Sequence, residues 1–139
     1  MRYLDLVQAA YDRLAPLETG LPFQGDRRSA PDVPQGGAIR FEVHLGDERR
    51  IGGGLLAEAT AQGGHVIVEV YLPRGTGIAR FLEIADSIDA LFRGQRDGDI
   101  TYSAIYPDPA GVQTVDEHDA QAVLVEFDHY AVKAVETAA

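Results

Sequence analysis

Cysteine is absent from all 139 residues, which removes disulfide scaffolds, thiolate zinc sites and cysteine nucleophiles together. That absence fits a reducing compartment. Positive charge is scarce too: 12 basic residues stand against 22 acidic ones, a formal charge of −10. Such a chain repels DNA and anionic membranes rather than gathering affinity through counterion release. No stretch approaches the roughly 20 consecutive apolar residues of a membrane-spanning helix. The N-terminal MRYLDLVQAAYDRL carries Asp5 and Asp12 and has no continuous apolar centre, so it does not read as a signal peptide. Catalytic motifs are missing as well. Ser29, Ser87 and Ser103 lie in no GxSxG elbow, and His44, His65 and His129 have no partnered nucleophile in the sequence. The expectation is a protein that is not an enzyme and uses no cofactor or metal. What the chain does have is apolar sequence, 45% of its residues, enough for one globular domain with a core of its own.

The stretch around which the rest is organised is HVIVEVYLPRGTGIARFLEIADSIDALFRG, His65 to Gly94. Alternation places Val66, Val68, Val70 and Leu72 on one face of a strand, with His65, Ile67, Glu69 and Tyr71 on the other. Pro73 lacks a backbone donor and ends the ladder, and Gly75 and Gly77 let the chain turn. Thr76 is placed to cap the following helix, which Gly94 stops. Ile78, Phe81, Leu82, Ala85, Ile88, Leu91 and Phe92 recur at three- and four-residue steps, an apolar stripe that should pack on the valine face.

Before this centre, residues 1–17 read as an amphipathic helix with Leu4, Val7, Ala10, Tyr11 and Leu14 on one face, ended by Pro16. Residues 18–37, rich in proline and glycine, read as a long irregular loop anchored by Phe23 and Val33. Ala38–Leu45 alternates cleanly, Ile39, Phe41, Val43 and Leu45 inward and Arg40, Glu42 and His44 outward. Residues 46–64 read as a glycine-rich hairpin or loop, in which Leu55–Ala61 forms a strand that turns through Gln62, Gly63 and Gly64. After the helix, Asp99–Tyr106 is a strand with Ile100, Tyr102, Ala104 and Tyr106 on one side. Gln121–Tyr130 is the last strand, with Val123, Val125 and Phe127 on one face, and residues 131–139 form a flexible tail.

This order predicts a single α+β domain: a mostly antiparallel, mixed sheet of four to five strands with two helices packed on one face. The other face shows Arg40, Glu42, Ile67, Glu69 and Tyr71, too apolar for solvent alone and too charged for a core. A partner subunit is its natural cover. Arg27–Arg28 and Arg49–Arg50 are the two adjacent basic pairs in an acidic chain, read either as partners for a neighbour's acids or as solvated loop arginines. With Arg74 in the turn, the interface candidates are Arg27, Arg28, Arg40, Glu42, Arg49, Arg50, Glu69, Tyr71 and Arg74.

Two constellations invite a chemical reading. PRGTGIAR, between strand and helix, has the setting of a phosphate cradle. It lacks the Gly-Lys-Ser/Thr of a P-loop, and Arg80 stands where a dinucleotide fingerprint needs its third glycine, so a βα turn is the better reading. Asp116, Glu117, His118 and Asp119 carry cation-ligand chemistry, but contiguous residues do not converge, and a solvated acidic loop fits better.

Taken as a whole, VYLPRGTGIARFLEIADSIDALFRG (a strand, a PxGTG turn and an AD-x-I-x-x-LF helix) resembles the small tail terminator proteins of long-tailed phages, prophages and phage-like gene transfer agents. The short N-terminal helix, the proline-rich loop and the closing strand AVLVEFDHY extend the similarity over nearly the full chain. GGGLLAEATAQGG and the VDEHD loop lie outside it. The resemblance implies a structural, ring-forming subunit that assembles as a homo-hexamer on the last ring of the tail tube. The ring stops tube polymerisation and offers a docking surface for the head–tail connector or stopper protein. Its place would be the virion tail, assembled in the bacterial host cytoplasm. DNA would pass through the ring without specific binding, and no membrane is involved. The readings that stay beside it are another head–tail neck protein of the phage and a small ligand-binding α+β domain.

Overall fold

The valine-rich strand read from His65 is the middle of a much longer one. The computed structural model describes residues 3–53 and 57–134. Its chain order is α1 (Tyr3–Leu14), β1 (Phe23–Asp26), a single 3-10 turn (Arg27–Ser29), β2 (Ala38–Gly53), β3 (Ala57–Pro73) and α2 (Ile78–Phe92). Then come β4 (Arg96–Asp97), β5 (Ile100–Pro107), β6 (Gln113–Val115) and β7 (His118–Ala134). The strands form one sheet in the order β1-β2-β3-β7-β5-β4, with β6 also pairing β7. Among the described residues only β1–β2 is parallel, so the sheet is mixed and the fold is α+β.

Seven strands stand among the described residues where four to five were expected. The additional ones, β1, β4 and β6, hold 4, 2 and 3 residues inside turn-rich segments, too short to show a hydrophobic period. β1 and the 3-10 turn therefore structure part of the segment read as irregular. The larger correction concerns residues 46–64. β2, β3 and β7 hold 16, 17 and 17 residues against a usual strand of about five or six. No hairpin turns at Gln62–Gly64. β3 runs straight through them, pairing Gln62 with Glu48 and His129, and Gly64 with Leu45 and Phe127. Gly64 is a packing glycine: a Cβ there would lie 2.3 Å from the His44 carbonyl oxygen and 2.7 Å from the Phe127 ring. β2 absorbs its own glycines and acids as irregularities, between Leu45 and Glu48 and between Arg50 and Gly52. The β2–β3 connection, with Leu55 and Leu56, lies outside the described residues, as do 135–139 of the expected tail, whose first residues, Ala131–Ala134, belong to β7.

The core lies between the helices and one face of the sheet. Ile39, Phe41 and Val43 of β2, Val66, Val68 and Val70 of β3, and Val123, Val125 and Phe127 of β7 are all buried. α1 closes on them with Leu6, Ala10 and Leu14, and α2 with Phe81, Ile84, Ile88 and Phe92. Both helical stripes are rotated from expectation. Leu4 and Tyr11 of α1 and Ile78 and Leu82 of α2 face outward, because α2 presents its 81–84–88–92 edge, including Ile84, to the sheet. Gly77, not Thr76, caps α2 at its start (φ 94°); the Thr76 hydroxyl donates back to the Pro73 carbonyl, 2.5 Å away. Gly94 (φ 68°) ends the helix in the left-handed conformation that suits glycine. A bulge between Tyr102 and Ile105 shifts the register of β5, so Ile105 joins the core and Tyr106 turns to the opposite face. No helix among the described residues is long and apolar enough to cross a membrane.

Past Val43, Gly64 and Phe127 the helices no longer cover the sheet. β2 residues 44–49 are all exposed, while β2, β3 and β7 stay paired to their ends. The result is a three-stranded arm extending from the helix-covered body. Its centre, β3, is made of small residues such as Ala59, Thr60, Ala61 and Gly63. Ala61 is wholly buried between its register partners Arg49 and Tyr130.

Candidate interaction surface

Alternation carries every second residue of the three long strands to the helix-free outer face, and register arranges those residues in rows. One row reads Glu42–Ile67–Leu124, with Tyr106 opposite Leu124; the next reads His44–His65–Glu126; the preceding one joins Arg40, Glu69 and Ala122. Arg27, in the 3-10 turn, reaches over this face. Its Nη1 donates to Glu42 Oε2 at 3.4 Å and stands 3.2 Å from Glu69 Oε1, the latter an ion pair without hydrogen-bond geometry. The carboxylates, Glu69 foremost, raise the Arg27 pKa. Tyr71 donates its hydroxyl to Glu69 Oε2, and burial, then that bond, push the phenol's pKa up. The Arg40 guanidinium lies over the Tyr71 ring, 4.7 Å from its centroid, and its Nε is buried without an acceptor.

Two segments wall this face. The β6–β7 hairpin, with its turn at Asp116 and Glu117, and residues 27–33 enclose a cleft of about 550 Å³ over Tyr71, lined also by Arg40, Val33 and His118. A second groove of about 360 Å³ runs along Glu42, Ile67 and Glu69 under Gly111 and Gln113. Polar, charged and apolar groups alternate in both. Such a surface suits a contact with another folded surface better than solvent.

Of the residues singled out from sequence, Arg27, Arg40, Glu42, Glu69 and Tyr71 come together in one cluster. Arg28 parts from Arg27: its guanidinium lies 5.0 Å from the centroid of the Tyr3 ring on α1, so the pair does not act as one basic patch. Arg49 lies on the arm, 4.0 Å from Asp128 across the small residues of β3, with its side chain 60% exposed. Arg50 pairs with Thr60 in the backbone ladder, and its side chain lies outside the described residues. Arg74 is exposed in the β3–α2 turn, where its backbone N–H donates to the Glu117 carbonyl oxygen.

In that same PRGTGIAR turn, Asp119 Oδ2 accepts from the Gly75 N–H at 3.0 Å and its Oδ1 accepts from Thr114. Asp116 and Glu117 form a two-residue hairpin turn with Asp116 at φ 55°, and the His118 Nε2 meets the Pro34 carbonyl oxygen at 2.9 Å. Among the described residues there is no group of three or more His, Asp and Glu side chains placed to hold a metal ion.

Two clusters escaped the sequence. On the outer face, His65 Nε2 lies 3.6 Å from Glu126 Oε1 and 3.4 Å from the Tyr106 hydroxyl, which donates to that same oxygen at 3.1 Å. His44 Nε2 lies 3.1 Å from Glu42 Oε1. Alternation already put Glu42, His44 and His65 on this face; the register and the β5 bulge brought Glu126 and Tyr106 beside His65. At the other end, Arg13 of α1 grips Asp97 through both carboxylate oxygens and donates to the Leu91 carbonyl, while Tyr102 donates to Asp97. Arg13 lowers the Asp97 pKa, and burial, then the bond to Asp97, raises that of Tyr102.

No protein-family model matches the chain, and no curated protein matches it. Solved structures share its fold: one, 19% identical, superposes with a TM-score of 0.57 over 100% of both chains. At that identity the likeness shows the fold, an α+β domain with two helices and a mixed sheet.

Proposed function

We propose that this protein is a tail-terminator-type subunit, structural rather than catalytic, whose copies close into a hexameric ring on the tail tube. The ring ends tube polymerisation and joins the tail to the head connector. The observation that carries this reading is the outer sheet face, mixed in polarity, free of helices and continuous with a three-stranded arm. A ring subunit needs two lateral surfaces that meet in neighbouring copies, and an extended face with an arm supplies such area. Part-buried charges such as Glu42 and Glu69, 20% and 13% exposed, have the half-desolvated setting of interface residues. The similarity of VYLPRGTGIARFLEIADSIDALFRG to tail terminators adds the partner, a tail tube. At −10 per chain, six copies carry roughly −60, a field that lets DNA slide through the bore without sticking. A ring structure with a net basic lumen would remove that last point.

Solution mass by light scattering, over a concentration series and then with tail-tube protein added, tests the proposal. A ring, formed alone or on the tube template, is the expected result. A strict monomer indifferent to tube protein would sink it. The cleft over Tyr71 favours the second reading, a small ligand-binding domain. That reading predicts a monomer or dimer whose melting temperature rises on ligand binding.

A further inference from the structure

In a chain with 22 acidic and 12 basic residues an arginine has carboxylates to choose from, and Arg27 on the outer face pairs with two, Glu42 and Glu69. Arg40, half-buried on the same face, pairs with none among the described residues. Its guanidinium lies over the Tyr71 ring, 4.7 Å from the centroid, and its Nε is buried without an acceptor. A buried charged donor left unpaired is destabilising, which makes it the place to look for an acceptor from outside the chain. Arg40 and Tyr71 both line the cleft of about 550 Å³ between the β6–β7 hairpin and residues 27–33. That volume lies within the range of small-molecule sites, roughly 300–1,000 Å³. Tyr71, 7% exposed, forms its floor with Arg40, whereas Asp32, Asp116 and Glu117 stand exposed at its mouth. The walls are already joined: the His118 Nε2 donates to the Pro34 carbonyl oxygen at 2.9 Å, and the His118 ring stands edge-on to Tyr71.

We propose that this cleft binds a small organic monocarboxylate with an apolar body. The carboxylate sits on the Arg40 guanidinium, and the body packs against Tyr71, Val33 and Val115. A guanidinium is the donor fork that matches a carboxylate, and stacking on an aromatic ring holds that fork in one orientation. A second negative charge on the ligand would meet Asp32, Asp116 and Glu117, so the lining selects against phosphates and dicarboxylates. The chain's net charge of −10 does not override the contact, because exposed charges are screened beyond about 8 Å at physiological ionic strength. The inference deepens the ligand-binding reading of the same cleft and rests on it, and it holds for the isolated chain whether or not copies close into a ring.

The test is a titration of the full-length chain with sodium phenylacetate, followed by proton–nitrogen NMR that includes the arginine Nε–H signals. A Kd of about 1 mM is expected for a ligand of this size. The saturable shifts should centre on Val33, Arg40, Tyr71 and Val115. Phenethyl alcohol, the neutral analogue, should bind roughly tenfold more weakly or worse. Arg40→Gln, checked for folding by circular dichroism, should weaken phenylacetate binding by a similar factor, while Arg28→Gln leaves it unchanged. If Arg40→Gln does not fold, the position of the shifts and the comparison of the two ligands on the wild-type chain still decide. Absence of saturable shifts, shifts centred elsewhere, equal binding of the alcohol, or undiminished binding by folded Arg40→Gln overturns the carboxylate site. Shifts at the cleft with equal binding of the alcohol would overturn the carboxylate and keep the ligand-binding reading, whereas no shifts there would remove both.

Discussion

The two faces of the sheet are made by the same strands, one residue out of step, and they behave as different materials. On the inner face Ile39, Phe41, Val68 and Val125 are at most 1% exposed. On the outer face Arg40, Glu42, Ile67 and Glu69 are half-buried, held by ion pairs and a ring stack. Inner-face stability is non-directional: any well-fitting apolar neighbour satisfies a valine. Outer-face organisation is directional, because a carboxylate gains only where a specific donor reaches it. The first should therefore respond to volume, and the second to partners.

The largest expected effect tests that contrast within two residues of β2. Phe41→Ala should cost about 3–5 kcal/mol in urea unfolding, whereas Glu42→Gln, next to it on the outer face, should cost less than about 1 kcal/mol. Equal losses would mean that the outer face is as integral to the monomer as the core. The same comparison sharpens at the two glycines of β3. A Cβ at Gly64 overlaps the His44 carbonyl and the Phe127 ring, so Gly64→Ala should destabilise by about 1–3 kcal/mol. At Gly63 the nearest atom, Asp128 Oδ1, is 3.5 Å away, an ordinary contact, and Gly63→Ala should leave the unfolding midpoint nearly unchanged. Matching midpoints for the two variants would contradict the packing role of Gly64.

A further effect concerns the directional kind of contact at the edge of the core, where Arg13 grips Asp97. Asp97→Asn should cost about 1–2 kcal/mol at neutral pH. Because the folded-state pKa of Asp97 is lowered, its contribution is complete above the unfolded carboxylate value of about 3.9 and is lost as pH falls through the folded value. The gap between wild type and Asp97→Asn should therefore narrow below about pH 4. A gap that stays constant down to pH 2 would show that the ion pair is not its source.

What could be read from residues alone follows the same division. Alternation in 38–45, 65–72 and 121–130 identified the inner rows except at Leu45, which was counted inward and is 39% exposed, since period-two burial is local but where the helices stop covering the sheet is not. The helices were legible in position but not in rotation: Ile84 was passed over, and Ile78 and Leu82 were counted inward. A wide apolar stripe does not say which of its edges meets the sheet. Gln62–Gly64 looked like a turn because glycine is the usual turn residue, and its other use, letting Phe127 cross the sheet, is visible only once β7 is in place. On the outer face the cluster of Arg27, Arg40, Glu42, Glu69 and Tyr71 was half legible, since four of its members alternate outward on two strands. The fifth, Arg27, arrives from a 3-10 turn with no pattern of its own.

By itself, then, the order of residues determined an α+β fold, the apolar face of most of each long strand and a chain without thiol chemistry or recognised catalytic motifs. Those properties depend on residue type and spacing along one element. Tertiary structure alone decided the register that sets His44 against His65 and Glu126, the β5 bulge that turns Tyr106 outward, and the length of the arm. These depend on which strands lie side by side, and hydrogen-bonded pairing between distant segments leaves little trace in either segment's own sequence.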